Sequence, residues 1–171
     1  RIYYNYRLRE DPPAVGGVPL PTGGPEVPGE PFNCSYGQGE TDYQTVELVR
    51  QADLGVGEAE EPHRTFVENA LAKARFASQH TGLPAVADDA GLCVDAFGGL
   101  PGVDTAHYAT QFGYPKGDDN NVRALLEQMA GLDNRRAALV STLVALRSPQ
   151  DPEPLIAVGR VVGDIARTPR G

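Results

Sequence analysis

The stretch TFVENALAKARFASQHTGLPAVADDAGL, residues 65–92, predicts a helix followed by a buried strand, and this unit decides the fold. The helix is predicted over Thr65–Gln79 and ends near Gly82, because a glycine often follows the last helical residue. The segment Pro84–Asp89 then has the short apolar character of a buried strand. The helix carries apolar residues at helical spacing on one face: Val67, Ala70, Leu71, Ala74 and Ala77.

Downstream of this unit, helical and strand patterns alternate. A second helix is predicted over Asp119–Ala130, and two strands over Ala137–Leu146 and Leu155–Ile165. Because only a short turn separates these strands, we expect them to pair antiparallel. The alternation predicts an α/β fold with a mixed central β-sheet flanked by helices. The residues expected in its core are Val67, Leu71, Ala74, Val86, Leu92, Leu125, Leu126, Leu143 and Val144.

The first 44 residues differ in composition from the rest of the chain. They hold seven of the 20 glycines and seven of the 15 prolines, and they lack a sustained strand or helix period. Such a segment buries too little apolar surface to offset the entropy lost on ordering. We therefore predict an irregular Pro/Gly-rich N-terminal arm over residues 1–44, irregular above all at 11–40, with strand character only at residues 2–6. A folded domain is predicted over residues 45–171.

Charge and composition argue against several classes of function. The 171 residues include 15 Lys and Arg against 23 Asp and Glu, a formal net charge of −8. This balance argues against nucleic-acid binding by a basic face and against a polybasic membrane anchor. The sequence shows no apolar membrane span and no signal-peptide pattern, and Cys34 and Cys93 suggest no disulfide framework. We therefore predict a cytoplasmic protein, which could still hold a polyanionic substrate through a divalent metal.

The run Asp88-Asp89-Ala90-Gly91 stands at the predicted strand end and allows two interpretations. Adjacent carboxylates at the carboxyl end of a strand could bind a hard cation such as Mg²⁺, which prefers oxygen ligands and keeps several waters. Alternatively, the aspartates could form an Asx-turn with backbone N–H groups as the chain leaves the sheet. The residues alone leave both open.

Glu68 also has a structural and a functional interpretation. Thr65-x-x-Glu68 before an apolar run is a capping box, in which Glu68 reaches back to the helix start. A carboxylate at this position also complements the helix macrodipole. A cation that bridges the helix start and the strand end would instead make Glu68 a metal ligand.

Lys73 is the cation within the alanine-rich part of the first helix. Asn69 lies four residues before it and so shares its helix face. A solvated lysine beside the apolar stripe and a lysine that contacts phosphate are both compatible with this position.

Taken together, residues 51–103 resemble the non-canonical purine nucleoside triphosphate pyrophosphatases, the inosine/xanthosine triphosphatase family. The resemblance rests on the pattern F-x-E-N-x-x-x-K-A at Phe66–Ala74 and on A-D-D-[SA]-G-L at Ala87–Leu92. Weaker similarity covers about residues 47–171. The family contains Mg²⁺-dependent hydrolases that cleave ITP, dITP and XTP to the monophosphate and pyrophosphate.

The resemblance implies a role for individual residues. Asp89 would be the catalytic carboxylate that activates water, and it would also touch the metal. Glu68 would be a metal ligand, supported by Asp88, while Lys73 would contact phosphate. Ala90 stands where serine is usual, so it would bind substrate through its backbone amide. A homodimer is also implied.

Three motifs of the family are not found in this sequence. The phosphate-binding loop T-G-N-x-x-K does not stand before Gln51, and the base-reading motifs F-G-[YW]-D-P and S-H-R do not stand before Gly171. We therefore expect a partial pyrophosphatase domain. The alternative is a truncated or rearranged family member without activity, serving at most as a binding or interaction module.

Overall fold

The computed structural model of the chain describes residues 4–8 and 46–169. Its strands are β1 (Tyr4–Leu8), β2 (Val46–Arg50), β3 (Ala85–Val94), β4 (Arg136–Leu146) and β5 (Leu155–Asp164), and its helices are α1 (Phe66–Thr81) and α2 (Asp118–Gln128). An extended 3₁₀ segment, Gly102–Phe112, lies between β3 and α2. The predicted irregular segment 11–40 lies outside the described residues. None of the helices in the described ranges is long and apolar enough to cross a membrane.

The strands form one five-stranded sheet in the order β2-β1-β3-β4-β5. The predicted α/β class is confirmed, and so is the antiparallel pairing of β4 with β5. Every strand pair in the described residues is antiparallel, which differs from the mixed sheet that we predicted. The physical reason is that the long connection after β3 leaves and re-enters the sheet at one end, since Val94 pairs with Ala137. A strand was predicted at residues 2–6, and the described strand β1 begins at Tyr4 and pairs with β2 and β3.

Helix α1 begins and ends at the predicted signals. Thr65 is its N-cap in extended conformation, and the Thr65 hydroxyl accepts a hydrogen bond from the backbone N–H of Glu68 at 3.4 Å. Gly82 closes the helix with a φ of 69°, a left-handed conformation that suits glycine. Its N–H donates to the carbonyl of Ser78 at 2.8 Å. These two caps fix where the inward face of α1 meets the sheet.

Two buried apolar clusters lie within the described residues. The first lies under α1, where five alanines let the helix approach β3 and β4 closely, and its members are Ala70, Ala74, Ala77, Ala85, Ala87, Val144 and Leu146. The second lies where β3 ends and β4 begins, against the 3₁₀ segment and α2: Val94, Tyr108, Ala109, Ala124, Leu125, Met129 and Ala137. The polar residues described below lie beside the first cluster.

The core predictions are confirmed in part. Ala74, Leu125 and Val144 are buried, whereas Leu71, Val86, Leu92 and Leu126 are half-buried. The predicted burial of Val67 and Leu143 is wrong, since both are exposed. Leu143 alternates with Val144 along β4 and so faces away from α1. No element in the described ranges covers Leu143 on that side, while Val67 lies in the exposed first turn of α1.

Candidate functional site

Asp89 is buried in the middle of β3 and faces α1. Its carboxylate is 1% exposed, because the odd-numbered residues of β3 point toward the helix. We predicted that the strand ends at the two aspartates, but β3 continues to Val94, and Asp89 pairs with Thr142 of β4. The strand continues because β4 supplies partners for the later residues. The Asx-turn interpretation is therefore wrong for Asp88 and Asp89.

Lys73 lies directly against Asp89. The Lys73 side chain is 1% exposed, and its Nζ lies 2.7 Å from Asp89 Oδ1 and 3.2 Å from the carbonyl oxygen of Asp88. The same Nζ lies 3.0 Å from Glu61 Oε2. The solvated lysine that we considered is thus excluded. A buried ammonium is tolerable only with such partners, because an isolated charge is costly to remove from water.

Asn69 occupies the turn of α1 before Lys73 and completes this cluster. It is 1% exposed, and its Nδ2 donates to Asp89 Oδ2 at 3.2 Å. Its side-chain amide also bonds both backbone groups of His63. Asn69 and Lys73 therefore share one helix face, as their spacing predicted, and that face points at the Asp89 carboxylate.

Glu61 is the residue that the sequence reasoning missed. It lies four positions before the N-cap of α1, in the acidic run EAEE of residues 58–61, and is 20% exposed. Because Asp89 and Glu61 both contact Lys73 Nζ, their carboxylates converge on one point. The acidic run was the available signal, but nothing in the sequence distinguishes one of its glutamates from another.

Glu68 and Ala90 lie at the margin of this cluster. Glu68 is exposed, and its Oε2 accepts a hydrogen bond from the Thr65 hydroxyl at 2.5 Å, so it contacts the N-cap side chain and not the N-cap backbone N–H that a capping box uses. Ala90 is exposed and pairs with Ser141 of β4. By strand alternation its side chain points away from Asp89, which leaves its backbone as the part that could serve the site.

Gly91 lets the 3₁₀ segment close over the site. A Cβ at this position would overlap the carbonyl oxygen of Gly102 and lie 2.7 Å from Thr105 Oγ1. Thr105 Oγ1 accepts from the backbone N–H of Leu92 at 2.8 Å and donates to the Gly102 carbonyl at 2.6 Å. The glycine after the two aspartates is therefore required by close packing.

A polar cleft of about 590 Å³ opens beside this cluster. The loop of residues 58–61 forms one wall and the 3₁₀ segment forms another. The charged or polar residues among its lining are Glu58, Glu61, Asn69, Asp104, His107 and Lys116. A larger hollow of about 800 Å³ lies along α2, and no residue of the Asp89 cluster borders it. Of the residues around Asp89, Glu61 and Asn69 line the polar cleft, whereas Asp89 and Lys73 lie buried behind them.

The residues around Lys73 offer hard oxygen donors. These are the carboxylates of Asp89 and Glu61 and the carbonyl of Asp88. The described residues contain no group of three or more His, Cys, Asp or Glu that could hold a metal ion. Mg²⁺ typically binds through one or two carboxylates and completes its octahedron with water and substrate phosphates. The donor set therefore fits such an ion better than an all-protein metal cage.

Comparison with known sequences gives extensive matches. The model of the Ham1 family matches residues 38–171. A dITP/XTP pyrophosphatase of Acidovorax sp. (strain JS42) is 82% identical over 126 residues, which are 74% of this chain and 62% of that protein. A dITP/XTP pyrophosphatase of Paracidovorax citrulli is 82% identical over 126 residues, covering 74% and 63%. The chain thus spans less than two thirds of the length of these relatives.

Solved structures show the same architecture. A HAM1 protein from Coxiella burnetii matches with a TM-score of 0.65 and 41% identity, over 71% of this chain and 61% of that chain. A nucleoside-triphosphatase / dITP/XTP pyrophosphatase from Mycobacterium abscessus matches with a TM-score of 0.57 and 40% identity, over 67% and 57%. Sequence and structure comparisons therefore agree over most of the described residues.

Proposed function

The chain belongs to the Ham1 family, and from this premise we propose that it hydrolyses purine nucleoside triphosphates such as ITP, dITP and XTP. The products are the nucleoside monophosphate and pyrophosphate. The observation that carries the proposal is the buried Asp89–Lys73 pair, 2.7 Å apart, beside a polar cleft. Buried charge is expensive to maintain, and its concentration beside a cleft is typical of a functional site.

Asp89 is the general base in this proposal. Its carboxylate accepts a proton from the water that attacks the phosphorus, which requires the base to lie within hydrogen-bond reach of that water. Lys73 donates its N–H groups to the substrate phosphates and offsets their negative charge. The backbone amide of Ala90 contributes a further donor to the substrate.

Mg²⁺ is the proposed cofactor, with Asp89 and Glu68 as its protein ligands. When bound, the ion supplies charge neutralisation at the phosphate oxygens. The contacts of Lys73 add Glu61 as a third candidate ligand, because the Glu61 carboxylate already converges with that of Asp89. Matched variants separate the two glutamates. Glu61→Gln and Glu68→Gln each remove a charge, and the variant that needs more Mg²⁺ for half-maximal activity identifies the ligand.

Pyrophosphate release from ITP, with GTP and ATP as controls, tests the function. We expect Mg²⁺-dependent turnover of ITP, with weak preference over GTP. Asp89→Asn keeps the shape of the side chain and removes its basic charge, so the rate should fall by about 10²–10⁴-fold. Equal rates for wild type and variant would show that Asp89 is not the base. Complete lack of turnover would favour the alternative of an inactive member that serves as an interaction module.

We also propose a homodimer, and the outer strand β5 supports it. All ten residues of β5 are exposed, including Leu155 at 76% and Val161 at 72%. Contiguous exposed apolar residues of this kind commonly mark interaction surfaces. Sedimentation velocity should show a dimer for the wild type and dissociation for Val161→Lys. A monomeric wild type, or an unchanged dimer in the variant, would contradict this assignment.

The cytoplasm is the compartment that we propose for the chain. In the described residues Cys93 is a free, half-buried thiol, and a reducing compartment keeps such a thiol unmodified. Cell fractionation with antibodies against the chain tests this, and recovery in a secreted fraction would contradict it.

A further inference from the structure

Asn69 is buried and fully engaged, although the proposed chemistry assigns it no role. Its side-chain Oδ1 accepts from the backbone N–H of His63 at 3.0 Å, while Nδ2 donates to the His63 carbonyl at 3.3 Å. The second hydrogen of Nδ2 points to Asp89 Oδ2, 3.2 Å away. Three directed hydrogen bonds thus hold a side chain that is 1% exposed.

The bonds to His63 fix the direction of the Asn69 amide. The backbone N–H of His63 requires an acceptor, and its carbonyl requires a donor, so the amide oxygen and nitrogen cannot exchange places without losing both bonds. Since the orientation is fixed from one side, the remaining N–H is a preorganised donor aimed at Asp89.

Asp89 is consequently held at both carboxylate oxygens from one helix. Lys73 Nζ holds Oδ1 at 2.7 Å, and Asn69 Nδ2 holds Oδ2 at 3.2 Å. These two residues lie one helical turn apart. The same Asn69 amide also ties down the loop that carries Glu61, two residues before His63. One side chain therefore sets the position of two carboxylate-bearing elements relative to each other.

We infer that Asn69 is a positioning residue for this site. It fixes the orientation of the Asp89 carboxylate against Lys73 and keeps the loop of Glu61 against α1. The inference rests on the proposed function, because it assigns Asn69 an effect on turnover through Asp89. Partners that orient catalytic or metal-binding side chains typically change activity or metal affinity by about 10–100-fold when removed.

Asn121 provides a matched control within the same chain. Its Oδ1 accepts from the backbone N–H of Ala109 at 2.9 Å, and its Nδ2 donates to the Ala106 carbonyl at 3.2 Å. Asn121 thus also joins a helix to a preceding segment through two backbone bonds, but its recorded contacts include no carboxylate. Asn69→Ala and Asn121→Ala therefore both remove two side-chain bonds to the backbone of a preceding segment. Only Asn69→Ala also removes a hydrogen bond to Asp89.

The first experiment compares kcat and KM for ITP in the wild type, Asn69→Ala and Asn121→Ala, at a temperature where melting curves show all three folded. We expect kcat to fall about 10–100-fold for Asn69→Ala, with KM changed less than about threefold, and kcat to stay near wild type for Asn121→Ala. In an Asp89→Asn background, Asn69→Ala should lower the residual rate little further, because the residue acts through Asp89. Equal losses for both asparagine variants, or full additivity with Asp89→Asn, would overturn the inference.

Crystal structures separate failure of this inference from failure of the proposed function. If the wild-type chain does not turn over ITP, the proposed function fails. The effect of Asn69 on the conformation of Asp89 can still be tested. We expect Asp89 to leave its wild-type side-chain rotamer or to occupy two conformers in Asn69→Ala, and to stay in place in Asn121→Ala. An unchanged Asp89 in Asn69→Ala would overturn the positioning role whatever the activity.

Discussion

The two buried apolar clusters of the described residues differ in the chemistry of the side chains beside them. Beside the alanines under α1 lie Asn69, Lys73 and Asp89, each no more than 2% exposed. The cluster between the 3₁₀ segment and α2 is built from apolar side chains such as Leu125 and Met129. One region thus accepts buried polar groups at an energetic cost, while the other gains stability from burial.

This difference separates a region that stabilises the fold by apolar burial from a region that holds the polar groups of the candidate site. The alanines under α1 contribute little apolar area each, so a substitution in this region acts mainly by leaving a buried hydrogen-bonding or charged group without its partner. The larger side chains near α2 contribute about 1.5–3 kcal/mol each when fully buried. Substitutions in the two regions should therefore differ in kind, and the following predictions test that contrast.

Lys73→Met should produce the largest effect. Methionine has a similar length but no charge, so the carboxylate of Asp89 loses its ammonium and faces Glu61 across the site. Breaking a buried ion pair by removing one partner typically lowers the free energy of unfolding by about 3–5 kcal/mol. Urea denaturation of the variant and the wild type measures this difference.

The double variant Lys73→Met with Asp89→Leu is the matched control. It removes both charges of the Lys73–Asp89 pair and leaves only Glu61, which is 20% exposed, and apolar replacement of a buried pair is often neutral or stabilising. The double variant should therefore be more stable than Lys73→Met alone and should show no turnover. A double variant less stable than the single one would mean that the ion pair is not the source of the loss.

Met129→Ala should have the next largest effect, in the apolar cluster. Met129 is fully buried, and truncation of such a side chain typically costs about 2–5 kcal/mol of stability because a cavity remains. The kcat of the folded fraction should not change. Val122→Ala on α2, the helix that Met129 directly follows, is the control, because Val122 is 43% exposed and should change stability by less than about 0.5 kcal/mol. A lowered kcat in folded Met129→Ala would contradict the separation of the two regions.

The fold was predictable where the signals are local. Thr65 and Gly82 mark the ends of α1, and the short turn between residues 146 and 155 fixes the β4–β5 hairpin. Which face of a strand becomes buried depends on elements far away in sequence. The alternation along β4 was visible, but whether Leu143 or Val144 meets α1 was decided by the docking of the helix.

The candidate site shows the same limit. Asp89 and Lys73 stand in a specific sequence pattern, and the structure brings them to 2.7 Å. Glu61 could not be chosen among its acidic neighbours, because its position depends on a loop that Asn69 holds in place. The extension of β3 beyond Asp89 was also missed, since Gly91 resembles a turn residue until its close contact with the 3₁₀ segment is known.

Thr65→Ala should have a smaller effect, confined to the start of α1. Loss of an N-cap hydroxyl typically lowers stability by about 0.5–2 kcal/mol. Thr65→Ser keeps the capping hydroxyl, so its free energy of unfolding should stay within about a few tenths of a kcal/mol of the wild-type value. Thermal denaturation of the three proteins measures this. Equal melting temperatures for alanine and serine variants would mean that the recorded cap, 3.4 Å long, contributes nothing.

Asp151 should give the smallest effect, and that effect should depend on pH. It lies in the turn between β4 and β5 and is buried, but its partners are local, in contrast to those of Asp89. Hydrogen bonds from the Arg147 side chain, at 2.8 and 2.6 Å, and from the backbone N–H groups of Arg147 and Glu153 hold the pKa of Asp151 well below its usual range. The charged carboxylate is thus the form that the folded turn stabilises.

The sign of the pH dependence follows from that shift. Because the pKa of Asp151 is lower in the folded than in the unfolded chain, its contribution is fully present above the unfolded value of about 3.9 and is lost as the pH falls below it. Urea denaturation between pH 6 and pH 3 should show a weaker acid loss for Asp151→Asn than for the wild type, together with lower stability at pH 6. Asp53→Asn is the control, because its ion pair with Arg50, 2.9 Å long, lies at the surface, where such pairs contribute about 0–1 kcal/mol. Identical acid profiles for the wild type and Asp151→Asn would show that the turn does not prefer the charged carboxylate.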